Sequence, residues 1–68
     1  MKMVQELNTF LSRFYNSPDD KLEFRWLGDY GEEEIYRTVR SFKRKGWRIT
    51  RRKKVLLIEG TPDVFRQV

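Results

Sequence analysis

Between Arg37 and Lys54 the chain carries ten cations and no acid: Arg37, Arg40, Lys43, Arg44, Lys45, Arg48, Arg51, Arg52, Lys53 and Lys54. Guanidinium and ammonium groups at this density suit one kind of chemistry, the binding of phosphate oxygens with release of the counterions held by a polyanion. Residues 19–34 oppose the block with seven acids against Lys21 and Arg25, so the net charge of +5 conceals a dipole along the chain. Such segregation points to an anionic partner for the basic block, either nucleic acid, with DNA favoured over RNA, or an acidic protein surface.

Other chemistries have little to work with. Without cysteine there is neither a disulfide nor a thiolate metal site, and without histidine the commonest metal ligand and general base are missing. In "PDDKLEFR", Asp19 or Asp20 with Glu23 approaches the carboxylate spacing that holds magnesium in acidic nucleases, but Arg25 stands where a lysine belongs. Glu23 also alternates outward on a strand. No glycine-rich phosphate loop or nucleophile triad is present, so neither an enzyme nor a cofactor is expected. Trp26, Tyr30, Tyr36 and Trp47 have faces on which unpaired bases could stack, but each lies in or beside an apolar pattern. Tyr30, in a loop between two glycines, is the best placed of the four.

The elements that must position these groups are legible from periodicity. From Met3 to Tyr15 the residues Met3, Leu7, Phe10, Leu11 and Phe14 recur at three and four, which predicts an amphipathic helix. "NSPDD" ends it. In "KLEFRWL", Leu22, Phe24 and Trp26 alternate with Glu23 and Arg25, the pattern of a strand with one buried face. Asp29 followed by Glu32 suggests a capping box for a second helix, whose Ile35, Val39 and Phe42 share one face while Arg37, Arg40 and Arg44 share the other. Glu33 is spaced to pair with Arg37, and Gly46 is placed as a left-handed C-cap. Trp47 and Ile49 then alternate with Arg48 and Thr50, and "VLLI" is apolar enough for a strand covered on both faces. These two strands form a hairpin whose tip, "RRKK", lacks tight-turn residues and predicts a longer, mobile loop. Thr61 and Pro62 suit the N-cap and first turn of a short helix carrying Val64, Phe65 and Val68, which would cover the second sheet face.

One small α+β domain over residues 1–68 follows, in the order α-β-α-β-β with a short C-terminal helix. A right-handed crossover places the third strand between the other two, giving a three-stranded antiparallel sheet in the order 1-3-2 with two helices on one face. Aromatics at 15% supply the large buried area that so short a chain needs. No signal-like segment opens the sequence and no stretch approaches about 18 apolar residues, which reads as a soluble cytoplasmic protein without a membrane partner.

The stretch "IYRTVRSFKRKGWRITRRKKVLLI" resembles the recognition helix and basic hairpin "wing" of winged-helix proteins, whose sheet has the same 1-3-2 order. The resemblance covers about half the chain, with one helix between Leu27 and Trp47 where that family has two. It implies a regulator that contacts DNA with the second helix and the hairpin. The other reading is a small inhibitor or adaptor, of the kind viruses and mobile elements encode, docking its basic face on an acidic protein. Val55 and Leu57, or Leu56 and Ile58, would favour a homodimer if the C-terminal segment left them bare.

Overall fold

Alternation along the strands and a three-four repeat along the helices assemble one two-layer unit. The computed structural model describes residues 2–66. In chain order it contains α1 (Lys2–Phe14), β1 (Lys21–Arg25), α2 (Glu32–Arg44), β2 (Arg48–Arg52), β3 (Val55–Glu59) and α3 (Pro62–Arg66). The sheet is antiparallel throughout, in the order β1-β3-β2. It is the α+β arrangement expected from the sequence.

The register decides which side chains face the helices. Leu22 pairs with Ile58 and Phe24 with Leu56, while on the far side Ile49 pairs with Ile58 and Arg51 with Leu56. This face meets Met3, Leu7 and Leu11 of α1 and Ile35 and Phe42 of α2 in a single core that also takes in Trp26 and Trp47. The rings of Phe10 and Phe24 lie 5.1 Å apart, in van der Waals contact between α1 and β1. Trp26 is buried although it lies one residue beyond β1, and Leu27 after it is 96% exposed.

Several local expectations are corrected. The N-cap of α2 is Gly31, with no side-chain cap, rather than Asp29. Glu34 accepts instead from the Met3 amide at 3.1 Å, so an acid of the α2 first turn satisfies one of the orphan donors at the start of α1. The buried stripe of α2 includes Thr38, fully enclosed, while Val39 is only half-buried. Its hydroxyl donates to the Glu34 carbonyl at 2.8 Å, which lets threonine occupy an apolar site. Phe14 is 53% exposed and rests on Phe10 rather than in the core.

The hairpin is the largest departure. Arg52 pairs directly with Val55, so β2 and β3 are joined by Lys53 and Lys54 alone. The longer loop expected at "RRKK" is a tight turn, with Lys53 in the left-handed region at φ 53°. The Arg51 side chain helps to hold it, donating from Nε to the Lys53 carbonyl at 3.0 Å.

Where α2 stops, the sequence signal is realised. Gly46 adopts φ 103°, its amide donates to the Lys43 carbonyl, and the Trp47 amide donates to that of Phe42. These are the two bonds of a Schellman cap, and they turn Trp47 back into the core. Thr61 caps α3 as expected, accepting from the Val64 amide at 3.3 Å. Val64 is buried with Phe42 and Trp47 on the helix side, so α3 does not cover the second sheet face. The expectation for Val68 lies outside the described residues.

Among the described residues nothing covers that second face. "VLLI" buries only Leu56 and Ile58; Val55 and Leu57 are half-exposed. No helix among the described residues is long and apolar enough to cross a membrane.

Candidate nucleic-acid interface

The ten cations of residues 37–54 do not form one patch. Helical spacing and strand alternation send them to different surfaces, and two of them are ion-paired among the described residues.

The first set lies on α2. Its buried residues Ile35, Thr38 and Phe42 define the inward direction, and at 100° per residue Arg37, Arg40 and Arg44 point away from it. Arg37 is held by Glu33 at 2.6 Å, the i,i+4 pair that the spacing suggested. Arg40, Lys43 and Arg44 are exposed and have no acid within ion-pair distance among the described residues. Lys45 lies over the Phe42 ring at 5.1 Å. A shallow groove on the flank of α2 is lined by Tyr36, Val39, Arg40 and Lys43. Tyr36 is 62% exposed, so an aromatic face stands among unneutralised cations.

The second set is divided by the alternation of β2. Arg48 and Arg52 point to the open sheet face, with Arg51 between them on the helix side. Arg51 makes a bidentate pair with Glu32 at the start of α2, one arm of it at 3.0 Å, and its guanidinium lies 5.9 Å from the centre of the Trp26 ring. The hydrogen bonds from Arg51 hold the Glu32 carboxyl below its usual range, and Glu32 in turn raises the Arg51 pKa. Arg51 is thus a clip between hairpin and helix. Lys53 and Lys54 occupy the turn.

Tyr30, the stacking candidate best placed by sequence, is engaged elsewhere. Its hydroxyl donates to the Glu6 carboxylate of α1, and this bond, aided by desolvation and by the charges of Glu6 and Glu34, pushes the phenol up to about 12. Trp26 and Trp47 are buried. The platform left at the surface is Tyr36, whose polar neighbours on α2 are the signal that separates it from the others.

The acidic loop has a structural occupation. One carboxylate oxygen of Asp20 accepts from the Asn16 amide at 2.7 Å and the Ser17 amide at 3.0 Å, closing the turn before β1. Glu23 lies on the open sheet face, opposite Leu57. Among the described residues no three acids converge as a metal site would require.

Comparison with protein-family models, with curated proteins and with solved structures finds no match to this chain.

Proposed function

We propose that this chain is a small non-enzymatic nucleic-acid-binding protein, a regulator that holds the phosphate backbone with the outward stripe of α2. The observation that carries the reading is the trio Arg40, Lys43 and Arg44, exposed along one helix and, among the described residues, with no carboxylate within ion-pair distance. Ion pairing along the helix uses only Arg37, and although Lys43 and Arg44 also suit its C-terminal dipole, such exposed contributions are worth about 0–1 kcal/mol and do not prevent phosphate from competing. Duplex DNA is the favoured ligand, because its major groove admits a helix whereas that of duplex RNA is too deep and narrow for side chains to read. The Arg51–Glu32 clip supports the reading by tying the basic hairpin to the start of the same helix. Contacts of this type give affinity with little sequence readout.

Fluorescence anisotropy with labelled duplex and single-stranded oligonucleotides, repeated over a salt series, tests it. Three phosphate contacts give a log–log salt slope of about −3 on duplex. The double substitution Arg40→Glu/Arg44→Glu lowers affinity at least about tenfold and removes about two units of that slope. Absence of binding at low salt, or binding indifferent to salt, would end the proposal.

A further inference from the structure

The open face of the sheet is a second surface with its own chemistry. Its rows follow from the register: Lys21, Glu59 and Arg48 at one end, Glu23, Leu57 and Thr50 in the middle, Arg25, Val55 and Arg52 at the other. A half-exposed aliphatic column, Val55 and Leu57, thus runs down the centre with a cation at each corner. Leu27 stands almost fully exposed just past β1, at the end of the sheet where the hairpin turns.

A second copy is a poor occupant. Stacking two such faces about a two-fold axis along the strands sets Lys21 on Arg48 and Arg25 on Arg52. An axis across the strands sets Lys21 on Arg25 and Arg48 on Arg52. Both arrangements bring like charges together at every corner. A bare phosphate backbone matches the corners but leaves Val55 and Leu57 without an apolar partner.

We infer that the open sheet face docks an amphipathic helix of a partner protein, one whose apolar stripe is flanked by acids on both sides. Strands about 4.8 Å apart put the β1 and β2 cations about 10 Å from each other, close to the width of one helix. Along each strand the corner cations are four residues apart, about 13 Å, and acids eight positions apart on one side of a helix lie about 12 Å apart, within reach of flexible Lys and Arg side chains. A helix lying along β3 would set its stripe on Val55 and Leu57 and its acids against Lys21 and Arg25 on one side and Arg48 and Arg52 on the other. Glu23 weakens the β1 side alone, whereas Glu59, in the central column between Lys21 and Arg48, weakens that end on both sides, so the β2 side and Arg52 above all carry the stronger electrostatic contact. The surface lies opposite the α2 stripe and does not depend on nucleic-acid binding there.

The test is an NMR titration of the isotope-labelled full chain with a synthetic helical peptide that has a leucine stripe flanked by glutamates. Companion titrations use the same peptide with lysines in place of glutamates, and a duplex oligonucleotide. The acidic peptide should shift the methyls of Val55 and Leu57 and bind at least about tenfold more tightly than the lysine peptide. Arg48→Glu/Arg52→Glu, at two exposed positions, should abolish that preference, whereas Arg40→Glu/Arg44→Glu should leave it unchanged; thermal melts confirm that both variants fold. Any of four results would overturn the inference: no binding at millimolar peptide, equal binding of the lysine peptide, oligonucleotide shifts centred on those same methyls, or a dimer of the free chain that buries them.

Discussion

At the scale of single residues, the side chains that tie the elements together are those already paired. Tyr30 holds its proton more tightly in the folded chain, where Glu6 accepts it, than the ordinary phenol value of 10.0. The protonated phenol therefore favours folding, a contribution fully present below pH 10 and lost as pH rises toward about 12. Alkaline titration of stability should show this loss in the parent and not in Tyr30→Phe, a comparison that cancels the lysines titrating nearby. Gly60 has a different constraint: a Cβ there would fall 2.0 Å from the Tyr15 hydroxyl oxygen, on a ring packed edge-on against Trp47 at 4.7 Å. Gly60→Ala should lower stability by about 1–3 kcal/mol in thermal or denaturant melts. Neither role is legible in the sequence, because Tyr30 with Glu6 and Tyr15 with Gly60 meet only through folding. The sequence marks Tyr30 as exposed for its glycine neighbours; the acceptor that captures it comes from another helix.

At the scale of elements, whatever repeats locally can be read. The Gly46 cap, the Glu33–Arg37 pair and the one-sided burial of β1 all depend on residues a few positions apart, and all are present. The N-terminus of α2 is less legible because Glu32, the acid spaced for a capping box with Asp29, is held by Arg51 of the hairpin, and the helix starts from Gly31. The hairpin tip shows the limit most sharply. Arg-Arg-Lys-Lys has none of the usual turn residues, yet cross-strand pairing extends to Arg52 and forces Lys53 into a conformation that glycine adopts freely. Lys53→Gly should accordingly raise stability by about 0.5–1 kcal/mol, measured as a shift of the denaturant midpoint at constant slope. An unchanged or lowered midpoint would mean that the turn relaxes without strain.

At the scale of the whole molecule, the sheet order follows from chain order, with β3 returning from the hairpin antiparallel to both outer strands and between them, whereas the distribution of charge does not. A reading that ends β2 before its tip gives Arg51 and Arg52 no face. Once the strand runs to the turn, alternation sends Arg51 to Glu32 and Trp26 and leaves Arg48 and Arg52 on the opposite surface. The basic block of the sequence thus becomes two cationic surfaces back to back, the α2 stripe and the corners of the open sheet. The two variants that invert one surface each should separate their partners, and the α2 stripe is the surface proposed to hold nucleic acid. The most direct test of that role is the salt dependence of duplex binding by Arg40→Glu/Arg44→Glu beside the parent. Phosphate binding through the α2 stripe requires a parent slope of about −3 that falls by about two units in the variant. An identical slope in both proteins, or no salt dependence in either, would contradict it.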